Sequence, residues 1–196
     1  MKRLPLAAVA VLLLAGCSSL SPHEFGQRHS PACEFQGQAG TPIVLLEAQA
    51  VPSASLLPCV KLLPSGWSLS DPGISLRNGE ASFMLDSDRA GPHAVTVVLR
   101  SGCDTSGATR VPSDESDTHR YQRVDTVQAT RFTGAQLYLF PGGCVTYRYD
   151  FGQGARAGPI SEVTQALGFV SRDQLRKQVL DYTGGRYPLD PPGQGG

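Results

Sequence analysis

Net charge is what this chain lacks first. Its 17 basic and 17 acidic residues cancel, giving a formal net charge of +0 with the histidines neutral. Lysine is nearly absent, occurring only as Lys2, Lys61 and Lys177. A nucleic-acid binder shows a basic stripe, and electrostatic recruitment to a membrane needs a polybasic cluster; neither is present. No Cys-x-x-Cys pair occurs, which removes a thioredoxin-like redox site and the usual zinc-knuckle spacing. His-x-x-x-His and His-Glu-x-x-His are missing, and with them the common zinc-hydrolase signature. Gly-x-Ser-x-Gly is missing too; the nearest stretch, Gly66-Trp67-Ser68-Leu69-Ser70, has no second glycine and follows a turn, not a strand. There is no Gly-rich phosphate loop and no internal repeat.

What is present begins at the N-terminus. Lys2 and Arg3 precede an apolar stretch from Leu4 to Leu14, broken only by Pro5. This is the layout of a secretory signal. The stretch is too short to cross a bilayer core of ~30 Å, which takes about 20 residues, so it is expected to export and not to anchor. Leu14-Ala15-Gly16-Cys17 follows, and it resembles the lipobox of bacterial lipoproteins. That resemblance implies that the Cys17 sulfur receives a diacylglyceryl group and that cleavage makes Cys17 the first residue. The residue types suit this, since small residues fit a peptidase groove and a thiolate is the nucleophile that lipidation needs. A plainer alternative is a secreted protein with a chance cysteine at the cut. Two or more acyl chains, at ~0.8 kcal/mol per buried CH₂, give a stable anchor. Losing Lys2 and Arg3 with residues 1–16 shifts the net charge from +0 to −2. Ser18 is not the Asp-type retention cue of two-membrane bacteria, so the inner and outer membrane are not distinguished.

The other four cysteines, Cys33, Cys59, Cys103 and Cys144, are an even number in an exported chain, where two disulfides are the default. Four cysteines allow three connectivities, and the sequence does not choose among them. Sequential pairing, Cys33–Cys59 and Cys103–Cys144, closes the shortest loops and is the expected one. In the loop-entropy model each bridge would contribute about 3.5–4 kcal/mol. A catalytic Cys144 would need a histidine base, and no family signature surrounds it.

Along the chain, Ser18–Pro31 is polar and aperiodic and reads as a flexible tether spanning roughly 20 Å. Ile43–Ala48 could be a strand or a short helical turn, with a long helix excluded by the prolines at 42, 52, 58 and 64. Asn78-Gly79 between alternating apolar residues reads as a two-residue hairpin turn. The segment from His93 to Arg100 alternates as a strand, and Ser101–Arg120 is a long polar, acidic loop of the kind that is often functional. His119–Val127 and Arg131–Phe140 look like strands. Pro141-Gly142 marks a second hairpin returning through Cys144. Ile160, Val163 and Leu167 then keep helical spacing. Ser171-x-x-Gln174 forms a capping box for a second helix, with Gly184 at its C′ position. The tail from Gly184 on is rich in Gly and Pro and is expected to be disordered.

Each candidate site has a functional and a plainer meaning, and the plainer one is the expectation. Tyr147 and Tyr149 share a strand face with Val145 and Phe151, where an aromatic strip could stack on sugars; packing beneath the C-terminal helices is the simpler expectation. Trp67 is read as a partly buried core aromatic. Asp114, Glu115 and Asp117 could offer hard oxygen ligands to Ca²⁺, but solvated turns are the better reading. Asp86-Ser87-Asp88 resembles the start of an EF-hand loop, yet Ala90 and Val97 stand where oxygen ligands are needed. His23 and His29 lie in the tether, His93 follows a turn and His119 ends the polar loop; His119 with Asp117 would join a triad only through tertiary contacts.

VPSASLLPCV, YLFPGGCVTYRYDF and ALGFVSRDQLR resemble exported proteins of actinobacteria with no assigned activity, a likeness that implies no site residues. The reading is then an α+β domain: an antiparallel sheet of about five strands, two disulfides, and two C-terminal helices on one face. Its segments are a signal peptide 1–16, lipidated Cys17 with its tether 17–31, one domain 32–187, and a tail 188–196. No catalytic residue, cofactor or metal is expected. The expected role is a membrane-anchored, non-enzymatic interaction module with an envelope protein as partner, without nucleic acid. A small-ligand (lipid, glycan or peptide) carrier or sensor is the alternative, and an envelope hydrolase the third.

Overall fold

The computed structural model describes residues 31–33, 41–77, 79–152, 157–186 and 188–189. The expected signal peptide, Cys17, nearly all of the tether and the tail from 190 lie outside the described residues. The chain forms α1 (Thr41–Ala50), β1 (Leu56–Val60), β2 (Trp67–Arg77), β3 (Glu80–Ser87), β4 (Gly91–Arg100) and β5 (Thr109–Val111). β6 (His119–Val127), β7 (Arg131–Phe140), β8 (Gly143–Gly152), α2 (Ala157–Ala166), β9 (Leu167–Ser171) and α3 (Arg172–Thr183) follow. One sheet has seven strands in the order β2-β3-β4-β8-β7-β6-β5, and β1 pairs β9 in a second sheet of two. All of these pairs are antiparallel.

The expected five-stranded sheet with two helices is therefore corrected: the fold is β-rich, with seven strands, a separate two-stranded sheet and three helices among the described residues. Each difference has a local cause. Leu167 continues the helical spacing of Ile160 and Val163 and so reads as the end of that helix; the structure ends the helix at Ala166 and pairs Leu167 with Val60. Pro58 argues against a strand, yet Leu56–Val60 pairs through it, with Pro58 opposite Phe169. β2 starts earlier than the alternating residues before Asn78-Gly79 suggest and runs through Asp71-Pro72-Gly73, where the register shifts between Leu69 and Ile74. β5 is three residues long and has too little pattern to be seen. Thr41–Ala50 forms a ten-residue helix, with Pro42 tolerated in its first turn and Pro52 beyond its end, instead of a strand or single turn.

The pleat decides which residues meet. Val95 stands opposite Tyr149, Val97 opposite Tyr147 and Leu99 opposite Val145, and this face carries the core together with Phe83, Leu85 and Phe151. Residues of α1, β1, β9, α2 and α3 join the same cluster, among them Val44, Leu57, Val170, Val163 and Leu175. Val98, on the other face, is also buried, and so are Ala135, Leu137 and Thr146. Disulfide bonds are present: Cys33 to Cys59, with Cα atoms 4.9 Å apart, and Cys103 to Cys144, at 6.0 Å. The second one draws the chain after β4 back onto the far face, where Cys103 Sγ lies 3.3 Å from the Thr146 hydroxyl.

The two layers are locked at the β7–β8 turn. Ser53 donates to the Gly142 carbonyl at 2.6 Å, and the Ser55 N–H donates to the Pro141 carbonyl at 3.2 Å. Gly142 has φ +75°, and a Cβ there would lie 1.8 Å from the Ser53 carbonyl oxygen, so this position admits no side chain. Ser171 caps α3 by accepting from the Gln174 N–H at 3.1 Å, and Gly184 ends it in the left-handed region.

Candidate functional site

The polar stretch after β4 is an ordered structure built by short-range hydrogen bonds. Asp104 accepts from the Ser106 N–H at 2.8 Å, which lowers its carboxyl pKa, and the Ala108 N–H returns to the Thr105 carbonyl at 3.0 Å. β5 then pairs β6 through Thr109–Gln122, Arg110–Tyr121 and Val111–Arg120. Between them the loop 112–118 closes on itself. The Ser113 and Thr118 hydroxyls are 2.5 Å apart, Ser113 Oγ accepts from the Glu115 N–H, and Thr118 donates to the Glu115 carbonyl.

Three acids of this loop were candidates, and two are engaged. Asp114 accepts from Arg120 at 2.8 Å and from the Tyr138 hydroxyl at 3.1 Å. Glu115 faces Lys61 at 4.0 Å, which brings the loop to the end of β1. Asp117 is exposed, with φ +57°, a turn conformation that Asp tolerates better than most residues. Among the described residues no three metal-ligating side chains converge. The ion pairs are half exposed, so each contributes about 0–1 kcal/mol; their effect is to orient the loop.

The root of the loop encloses a cleft of about 320 Å³ lined by Arg110, Val111, Pro112, Ser113, Thr118, His119 and Arg120. Arg110 reaches His119 Nδ1 at 2.9 Å. A guanidinium has only donors, so Nδ1 is the acceptor and the proton of the neutral ring sits on Nε2. Arg120 also lines the cleft, but its guanidinium donates to Asp114 and its Nε is buried without an acceptor. The sequence reading placed His119 at the end of this loop but missed Arg110 and Arg120. The available signal was the sign pattern: basic residues at both strand ends flank an acidic tip.

The aromatic candidates are packed, not presented. Tyr147 and Tyr149 are buried on the core face. The Tyr147 ring stacks on Phe169 at 6.3 Å, Tyr138 meets Phe169 edge-on at 5.3 Å, and Tyr149 tilts on Phe151 at 5.4 Å. Burial pushes the Tyr138 phenol up to about 12, and burial also raises the phenols of Tyr147 and Tyr149. The Tyr149 hydroxyl and Gln136 Oε1 are buried with no hydrogen-bond partner. Trp67 lies on β2, with β3 and β4 between it and the β8 tyrosines. Its indole N–H donates to Glu162 at 2.7 Å, and Arg89 donates to the same oxygen at 2.6 Å. These bonds hold Glu162 below the usual carboxyl range and tie α2 to the sheet edge. Asp114 and Glu115 come close enough to perturb Tyr147, whereas Trp67 is not brought to them.

Two buried charged side chains escaped the sequence reading altogether. Arg172, 2% exposed, donates to the carbonyls of Ala48, Val51 and Ala54 at 2.7, 2.9 and 2.8 Å. Glu47, 0% exposed, has neither carboxyl oxygen hydrogen-bonded, and burial raises its pKa well above the ordinary value. Among the described residues no helix is long and apolar enough to cross a membrane.

Comparison with known proteins assigns no family. No family model matches the chain, and no curated protein matches it. A solved structure from Bacteroides thetaiotaomicron VPI-5482 is similar over 61% of this chain and 46% of its own, with 12% identity and a TM-score of 0.35. The chain thus spans under half of that protein's length, and a likeness this distant carries no argument about fold or function.

Proposed function

We propose that this protein is a lipoprotein held at the extracytoplasmic face of the cell membrane by acyl chains on Cys17, and that its domain is a non-enzymatic interaction module. Residues 101–118 are the recognition element, and the partner is a protein of the cell envelope. The observation that supports this is the way a long polar loop is held in one shape. Its start is cross-linked to β8 through Cys103–Cys144, and its tip is bonded to Arg120, Tyr138 and Lys61. A loop ordered in advance avoids an ordering cost on binding of about 0.5–1.5 kcal/mol per immobilised side chain. Rigid loops on a sheet scaffold are common carriers of recognition.

Two experiments test the parts separately. Labelled palmitate should enter the protein, and Cys17→Ala should abolish the label and release the chain from the membrane; unchanged retention would refute the anchor. A photo-crosslinker at exposed Asp117 should join the protein to one recurrent envelope partner in intact cells. The same probe at Arg148, on the exposed middle of β8, should not; equal yields at the two sites would end the loop's claim.

A further inference from the structure

We propose that the cleft at the root of the β5–β6 loop is an oxyanion site, which takes one carboxylate or phosphate group between Arg110 and His119. The inference rests on the reading of this loop as the recognition element and names the chemistry it recognises. The sign of the lining is the first argument. The Arg110 guanidinium, an imidazole and two hydroxyl-bearing residues line the cleft, Arg120 adds to the lining while its own guanidinium is bonded to Asp114, and no acidic residue lines it. The acids of the same loop are directed elsewhere: Asp114 engages Arg120 and Tyr138, and Glu115 faces Lys61.

Donor capacity is the second argument. A guanidinium carries five N–H donors in a fixed fork. Arg110 gives one to His119 and makes no other hydrogen bond or ion pair among the described residues. That single bond also fixes the guanidinium plane, because Arg110 pairs with Tyr121 and His119 stands two residues before it, a diagonal neighbour on the same face. With Nδ1 occupied, His119 presents Nε2–H, whereas the Ser113 and Thr118 hydroxyls that also line the cleft donate within the loop. Forked donation by arginine matches the planar pair of oxygens of a carboxylate or phosphate. The volume of about 320 Å³ is at the small end for ligand sites and suits one such group, borne by a side chain or a phosphate ester, better than a large cofactor.

The test is a titration of the intact lipidated protein in neutral detergent micelles with sodium phosphate and, separately, sodium acetate, at constant ionic strength. NMR signals of the arginine Nε–H groups and the histidine rings report binding. Saturable shifts of Arg110 and His119 are expected, with Arg77, an exposed arginine on β2, unmoved. Arg110→Gln should weaken binding by at least about tenfold, equal to 1.4 kcal/mol. Arg110→Lys keeps the charge without the fork and should also bind more weakly than the wild type. Stronger binding of phosphate assigns the group to a phosphate ester, and stronger binding of acetate to a carboxylate. Non-saturating shifts shared by Arg77, or wild-type affinity in Arg110→Lys, would overturn the site. Because the titration needs no partner, its failure leaves the crosslinking test of the loop to stand or fall separately.

Discussion

Two buried charged side chains bear on the same helix, α1, and are treated in opposite ways. Arg172 reaches the C-terminal end of α1 from the start of α3 and donates to the carbonyls of Ala48, Val51 and Ala54. A cation there satisfies carbonyls that a helix end leaves open and lies at the negative end of the helix dipole. Glu47, on the turn before, faces the core with Val44, Ala48 and Val51 and has no partner for either oxygen. The helix is thus clamped at its end by a charge it can use and burdened in its middle by one it must neutralise. A buried carboxyl without partners is held protonated, because desolvation penalises the ionised form most.

The largest effect should come from breaking the satisfied member. Arg172→Met removes the donors from three buried carbonyls and should cost about 3–5 kcal/mol in urea unfolding. A loss under about 1 kcal/mol would mean that water replaces the guanidinium. Removing the unsatisfied member should act in the opposite direction. Glu47→Leu keeps the volume, ends the need to protonate a buried acid, and should stabilise the fold at pH 7 by about 2–4 kcal/mol. Destabilisation by that substitution would show that the carboxyl has a partner after all.

The pH dependence sharpens the same contrast. The folded pKa of Glu47 lies above its unfolded value, so its contribution is complete below the ordinary carboxyl range and is lost as pH rises toward the folded pKa. Wild-type stability should fall relative to Glu47→Leu by up to about 1.4 kcal/mol per pH unit above about pH 4.5. Parallel stability curves for the two proteins would refute it. Asp150, whose pKa Arg131 lowers, acts with the reverse sign at acid pH and cancels in this comparison. The smallest change concerns the residue beside the clamp: Ser171→Ala removes the cap of α3 and should cost about 1 kcal/mol by thermal melting.

The same pair shows why parts of this fold were readable and others were not. Turns and caps announce themselves within four residues, and the strand pairs β2–β3 and β7–β8 and the Ser171 cap occur where such local signals lie. β9 carries no such signal, since Leu167 fits a helix as well as a strand and only its pairing with Val60 decides. The second, two-stranded sheet was missed for that reason. The partners of Arg172 are 118 to 124 residues away in the chain, so no window of sequence could show them. Glu47 stood inside an apolar run, visible but without sign of its burial. At the candidate site, the acidic tip attracted attention while the basic cleft needed the pairing of β5 with β6 to bring Arg110 beside His119.

The pairing of β1 with β9 has a consequence for the order in which the molecule can be assembled. Leu56 meets Ser171, and the end of α1 meets Arg172, so a layer made by residues 41–60 is completed only by residues 167–172. A chain threaded outward from its N-terminus delivers that early layer first and its closing strand almost last. Until then α1 lacks its clamp and β1 its neighbour, while the meander of β2 to β4 already has its partners in hand. The part of this layer that is made first is therefore among the last to find its place.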